Sequence, residues 1–493
     1  MILCVVTGCI ENIPPESENM LSPVSTSVTS SPQPFSETVA TSHTRLNVNS
    51  ELTHVATDPA SSVSATTISE TSAPQSTSMP TIDMTLTQPI LTPIPTLSTE
   101  WFADSLTPFI PVENPDHHIL ISSNDALWHP DSKSAMSLPV PAGWHIYSWS
   151  PTGKHLLMYE WGGSIGIFSL EQGDLEIFDN ISFQGGSWSP DGVHLAITDL
   201  QGQMNLFSLE SNEFAALENA PKGGWPYWSP DGQYLFYRGF EDGDDPDSLS
   251  GVIYNLHSRE ALLQLEPVVF WRVLGWSVDS KWVAFLKWDG ERPYAEQILL
   301  EVVNITTGEQ IIYENLSGNI WLDGFWSPTN NQILLSGANA ACGPDIPYQS
   351  QFPIIIESMD LIDLDTGEMT RLKELPDDQK CVSVRQGYRL GGMPWSPHGD
   401  TLTYTSNRQL CFLDILSQEE NCLKDLYVAL TGAGYGGINS PSWSPDGQWI
   451  ALFLPHPDQY GEFVSAIRRD GTELRISEHM AISEDPLLWA PTR

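Results

Sequence analysis

The chain has 493 residues, with 62 Asp and Glu against 21 Lys and Arg, a formal net charge of −41. So few cations exclude a nucleic-acid partner held through its phosphates, and an anionic lipid surface held by charge alone. The length accommodates one large repeat domain with a further segment, and the acidity itself favours solubility.

Residues 1–12 read MILCVVTGCIEN. Within them Val6-Thr7-Gly8-Cys9 is similar to a bacterial lipobox, although the apolar run before it is shorter than a secretory core of about 7–15 residues and lacks a basic start. That resemblance implies a lipid anchor at Cys9 on an exported protein of the cell surface or periplasm. Residues 13–100 are dominated by Ser, Thr and Pro, as in SSVSATTISETSAPQSTSMPT. Such a segment buries too little apolar surface to offset its ordering entropy, so a disordered stalk suited to O-linked sugars is expected. Elsewhere no run approaches the ~18 apolar residues of a membrane helix, so membrane contact is expected through the lipid alone.

Beyond the stalk one unit recurs. Its fullest copy is SWSPDGQWIALF, Ser442 to Phe453. Proline presets φ at the second turn position, aspartate tolerates the third, and glycine takes an angle that strains other residues. A large aromatic precedes the turn and an alternating β-prone run follows it, so the unit reads strand, tight turn, strand. The anchoring tryptophans are Trp149, Trp188, Trp228, Trp276, Trp326, Trp395 and Trp443, with a truncated copy, LLWAPTR, at Trp489. By subtraction they lie 39, 40, 48, 50, 69, 48 and 46 residues apart. A period of about 40–50 residues is that of a propeller blade of four strands.

These residues resemble the WD-repeat-like β-propellers of the TolB type, whose blades carry a W-S-P-D-G hairpin followed by an I-A-F-like strand. The resemblance covers roughly residues 117–493 and implies an all-β propeller of four-stranded antiparallel blades. The copies at Trp276, Trp326 and Trp395 depart from the full motif, and their hairpins are expected to be less tight. Before Trp149, the stretch from Ile119 has the layout of three blade strands without a first one, while the chain closes on an unpaired first strand around Trp489. One blade shared between the two chain ends removes two open sheet edges, giving eight blades, with seven as the alternative.

Six cysteines occur, two of them in the leader. Cys411 and Cys422 fall opposite each other on a strand–turn–strand stretch, and Cys342 and Cys381 flank the widest insertion. Two disulfides are expected for an exported protein, with metal ligation as the alternative. A second insertion gathers Asp242, Asp244, Asp245 and Asp247, whose oxygens suit calcium but whose spacing is not that of an EF-hand; a solvated acidic loop is the plainer reading.

Aromatics also gather just before the repeat tryptophans: Trp144, Phe183, Trp271 and Trp321 five residues ahead, and Trp225 three ahead. At a channel mouth Trp144, Trp225, Trp271 and Trp321 are candidates to stack on sugar rings or peptide side chains; inter-blade core is the competing role. Gly162-Gly163-Ser164-Ile165-Gly166 matches a nucleophile-elbow string but lies between two blade strands, without the required helix. His117 and His118 are expected to have a surface or packing role. The leading expectation is therefore a monomeric, non-catalytic, lipid-anchored propeller without a cofactor, calcium aside, binding a protein, peptide or cell-envelope glycan. A propeller lyase or hydrolase acting on polysaccharide, and a structural part of an envelope complex, are the alternatives.

Overall fold

The computed structural model describes residues 43–46, 98–102, 106–113, 116–121, 125–132, 134–160, 163–179, 183–240, 249–265, 270–288, 298–314, 319–339, 356–375, 389–406, 409–423, 439–455, 462–481 and 488–491. Every regular element among them is a strand. The chain enters through β1 (His43–Leu46), β2 (Ser98–Phe102) and β3 (Thr107–Pro108), then β4 (Ile119–Ile121), β5 (Ala126–His129) and β6 (Ser134–Ser137). Next come two meanders, β7 (Trp144–Trp149), β8 (His155–Glu160), β9 (Ile165–Ser169) and β10 (Asp174–Phe178), then β11 (Phe183–Trp188), β12 (His194–Asp199), β13 (Met204–Ser208) and β14 (Glu213–Ala216).

The plan repeats with β15 (Gly223–Trp228), β16 (Tyr234–Phe240), β17 (Leu249–Asn255) and β18 (Glu260–Gln264), then β19 (Phe270–Trp276), β20 (Trp282–Trp288), β21 (Ile298–Asn304) and β22 (Gln310–Tyr313). It continues with β23 (Asn319–Trp326), β24 (Gln332–Asn339), β25 (Ser358–Asp363) and β26 (Glu368–Glu374). Then follow β27 (Arg389–Trp395), β28 (Thr401–Ser406), β29 (Gln409–Asp414) and β30 (Glu420–Leu423). The last internal unit holds β31 (Asn439–Trp443), β32 (Trp449–Pro455), β33 (Glu462–Arg468) and β34 (Glu473–Ala481), before β35 (Leu488–Trp489). Within each unit the strands pair antiparallel in sequence order, and first strands of successive units lie against one another, forming the inner wall of a β-propeller.

The two chain ends meet. β35 pairs antiparallel with β4, Leu488 opposite Leu120 and Trp489 opposite Ile119, so one unit is built from β35, β4, β5 and β6 as expected. Trp489 packs with Ile119, Trp128, Trp449 and Phe453, so one apolar core spans the seam between this unit and β31–β34.

The repeat tryptophan has a physical role that explains its recurrence. Its indole N–H donates to the backbone carbonyl just ahead of the repeat tryptophan in the preceding unit. Trp228 bonds Ser187 at 2.8 Å, Trp276 bonds Tyr227 at 2.9 Å and Trp395 bonds Phe325 at 3.1 Å. The same ladder crosses the seam: Trp489 donates to Ser442 at 2.9 Å and Trp149 to Leu488 at 3.4 Å. Trp188, Trp326 and Trp443 are placed alike, but their indole nitrogens make no hydrogen bond.

The turn is fastened by its own polar side chains. In the Trp188 copy, Ser189 Oγ donates to Asp191 Oδ1 at 2.5 Å and accepts from the His194 amide at 2.9 Å, while Asp191 accepts from the Val193 amide at 3.0 Å. The same arrangement fastens Ser229 to Asp231 and Ser444 to Asp446. Two of the three divergent copies are no looser. Ser280 takes the glycine position at φ 62° and closes its turn onto Ser277 at 3.0 Å; Gly399, at φ 69°, closes onto Ser396 at 2.9 Å. In the third of them, Asn330 donates only to the Ser327 hydroxyl, at 3.3 Å. The Ser396 hydroxyl donates to Asp400 and, with the Thr401 hydroxyl and Arg469, holds that carboxyl below its usual value against the opposing pull of burial.

Ahead of residue 117, three short strands add to the outer edges of the units. β2 adds in parallel to β34, β3 adds in parallel to β6, and the Val112 amide bonds Leu170 O at 2.8 Å. Phe109 meets Phe168 edge-on, with ring centroids 5.2 Å apart. Residues 98–102 and 106–113 thus lie along the outside of three consecutive units, centred on the shared one. β1, within the stretch read as stalk, adds in parallel to β22. Parallel pairing to a distant edge leaves no local sequence signature.

Cys411 and Cys422 are bonded and sit directly opposite in the β29–β30 ladder. With the two cysteines separated by 11 positions in sequence, reduction is expected to remove about 2–3 kcal/mol, measured by urea unfolding with and without reductant.

Candidate functional site: the loop-bearing mouth

The two ends of the units differ. Connections from first to second strand in the seven internal units, and from third to fourth in all units, span only four or five residues. Connections from second to third strand, and from fourth strand to the next first, leave the other end and vary from 2 to 18 residues. Both insertions singled out in the sequence belong there, 241–248 between β16 and β17 and 340–357 between β24 and β25. So do 375–388, ahead of β27, and 424–438, ahead of β31. Long connections on one end of a rigid scaffold are the usual carriers of binding.

At that end each internal first strand is irregular. The register shifts between Ile146 and Ser148, Phe183 and Gly185, Gly224 and Tyr227, Phe270 and Arg272, and Trp321 and Asp323, with further shifts in β27 and β31. Bulges re-aim side chains and bend the strand, here beside the channel mouth. Aromatics occupy the start of β7, β11, β15, β19 and β23, while the matching stretches of β27 and β31 read RLGGMP and NSPS. The aromatic positions therefore form a crescent on one side of the mouth.

Two of the four candidate tryptophans are described in full. Trp144 opens β7 and lies half-buried over Gly166, its ring 2.8 Å from where a Cβ would stand. Trp225 holds a left-handed φ of 51° inside the β15 bulge and covers Gly185 of the preceding unit. The Arg238 guanidinium sits 5.5 Å from the Trp225 ring centroid. Both rings pack between strands and keep part of their surface in solvent, so each serves the core and the mouth together. Trp271 and Trp321 stand on β19 and β23, at the same end; their side chains lie outside the described residues. A third set of rings joins β7, β8 and β11, with Tyr147 4.9 Å from Phe183 and Tyr159 5.3 Å from Phe183.

One ionic pair lies in the crescent and was not legible in the sequence. Arg272 Nη1 and Asp323 Oδ2 are 2.7 Å apart, with side chains 26 % and 18 % exposed. Arg272 directly follows Trp271 and Asp323 lies two residues beyond Trp321, on adjoining first strands. Burial pushes the Asp323 carboxyl up to about 6, against the opposing pull of Arg272 and of the Gly324 amide that donates to it at 2.8 Å. A carboxyl so perturbed beside a cation at a mouth marks a functional candidate. Because its folded value lies above its unfolded one, this group favours the fold most below pH ~4 and less as pH rises towards 6, a change of roughly 2–3 kcal/mol. Urea unfolding of Asp323→Asn and the parent at pH 4.5 and 7 is expected to show the parent losing about 2 kcal/mol more than the variant between the two values.

Other candidates resolve plainly. Ser164 of the G-x-S-x-G string lies between β8 and β9, and its hydroxyl donates to Asp179 Oδ1 at 2.9 Å rather than to a histidine. His117 bridges the seam, 3.6 Å from Asp131 and 3.4 Å from Asp446, and stacks on His129 at 6.2 Å. Among the described residues the one convergence of metal-type ligands is Cys411, Glu420 and Cys422, and both sulfurs are spent in the disulfide. Cys9, Asp242, Asp244, Asp245, Asp247, Cys342 and Cys381 lie outside the described residues.

No protein-family profile and no curated protein matches this chain. Among solved structures it is similar to Kuenenia stuttgartiensis hydrazine synthase, at 13 % identity and a TM-score of 0.40, over 66 % of this chain and 93 % of that one. It is also similar to an oligogalacturonate lyase in complex with manganese, at 13 % identity and a TM-score of 0.39, over 62 % of this chain and 84 % of that one.

Proposed function

We propose that this chain is a non-catalytic, eight-bladed binding propeller that takes a protein, peptide or cell-envelope glycan at its loop-bearing mouth. The observation that carries this reading is the division between the two ends: short fastened turns on one, every long connection on the other. The aromatic crescent supplies flat apolar surface there, and the Arg272–Asp323 pair supplies a fixed polar contact. The leader completes the proposal, with a lipid at Cys9, a Ser/Thr/Pro stalk and a monomeric head displayed outside the cytoplasm. Calcium at the 242–247 aspartates belongs to the same reading as an optional ligand.

A polysaccharide lyase or hydrolase is the second reading, favoured by the raised Asp323 carboxyl, which could give or take a proton near neutral pH. A thermal-shift screen of the chain against calcium, cell-wall fragments, oligosaccharides and short peptides separates the two. A shift lost in a folded Trp271→Ala, Trp321→Ala variant supports binding at the mouth. A glycan shortened during incubation replaces the binding reading with the enzyme.

A further inference from the structure

Three outer blade edges carry an added strand from the chain's own N-terminal region, each in parallel: β1 on β22, β2 on β34 and β3 on β6. The outer strands without such a cover among the described residues are β10, β14, β18, β26 and β30. Each of those five bears acidic side chains, from Asp174 and Glu176 on β10, through Glu213 and Glu260, to Glu368 on β26 and Glu420 on β30. Charge along an open edge blocks pairing with another chain. The covered strands β22 and β6 read QIIY and SAMS, with no charge in either. On β34, Glu473 and Arg475 are bound to each other, and Arg475 also donates to Pro130 O at 2.5 Å. Two of the three covered edges, β22 and β6, thus carry no charged side chain at all.

β1 is joined to β2 only through residues 47–97, while β34 and β22 are separated by two intervening units. The Ser/Thr/Pro composition of that link suits a flexible chain, and 51 residues of flexible chain span about 40 Å root-mean-square, which reaches another molecule as readily as its own. We propose that the β22 edge is an acceptor for an extended strand, and that a second copy of this chain supplies it with its own His43–Leu46 segment when copies are crowded. In dilute solution the covalent link keeps the segment at an effective concentration near millimolar, so the cis pairing dominates. At a surface where copies are packed closely, exchange links neighbouring heads without further contacts.

The test shortens residues 47–97 to six in the full chain. Six residues reach about 20 Å, whereas three sheet-to-sheet steps of about 10 Å or more separate β34 from β22. Light scattering after gel filtration is expected to show a dimer or larger closed assembly, reverting to monomer when Thr44→Pro and Arg45→Pro are added. A shortened chain that keeps its melting temperature and stays monomeric at all concentrations overturns the proposal. A second measurement does not depend on the deletion. The full chain carrying the two prolines has an emptied β22 edge, and is expected to bind a synthetic peptide of residues 40–49 saturably. That binding is expected to vanish when Ile311→Lys is added. No binding to the emptied edge, or binding unaffected by Ile311→Lys, overturns it.

Discussion

Trp489→Ala should destabilise the head by about 3–5 kcal/mol, the range for removing a large buried aromatic. The side chain is 5 % exposed, packs in the core that spans the seam, and donates to Ser442 O at 2.9 Å. Its strand has only two residues, so the β35 side of the closing ladder depends on this contact. Trp489→Phe keeps most of the packing but drops the indole donor to Ser442 O, and should cost about 1–2 kcal/mol. Urea unfolding gives both values. Hydrogen exchange at Ile119–Ile121 distinguishes closure from general loosening: it should rise in Trp489→Ala and stay unchanged in Trp188→Ala, whose unit is held by the chain on both sides.

Removing residues 1–113 should have an effect of similar size, again about 3–5 kcal/mol. The truncation removes the pairings of β1 with β22, β2 with β34 and β3 with β6, the Val112 bond and the half-buried Phe109, offset in large part by the conformational entropy that ordering these residues costs. Phe109→Ala in the intact chain should recover about half of that loss and leave the parallel pairs in place. Differential scanning calorimetry of the three proteins orders them as parent, Phe109→Ala, truncation. If the truncated chain melted with the parent, the added strands would be only an ornament on a ring closed by β35 alone.

The architecture was legible because its determinants are local and repeated. Tryptophan, serine, proline, aspartate and glycine at fixed offsets specify one hairpin, and the structure shows why each is kept. The indole reaches the neighbouring unit, and the serine and aspartate satisfy the turn's own amides. The shared closing unit was legible as well, because an unpaired half-repeat at each end leaves few alternatives. What was missed is non-local. Arg272 and Asp323 are 51 residues apart and meet only because bulges in adjoining first strands place them together. The segment at 98–102 pairs with β34, more than 370 residues away, through backbone groups that any sequence can supply. The absence of glycine predicts a loose turn at Ser280, yet serine holds the left-handed angle there, where its hydroxyl also accepts from the Asp231 amide of the neighbouring unit at 3.0 Å.

The central claim is that the end of the ring bearing the long connections is the binding end. Hydrogen exchange across the whole chain, with and without solubilised cell-envelope glycan and peptide fragments, tests this most directly. The account expects added protection at the starts of β15, β19 and β23 and in the connections ahead of β27 and β31, with none at the fastened turns around Asp191, Asp231 and Asp446. Protection confined to those turns would place the ligand on the opposite end and contradict the account.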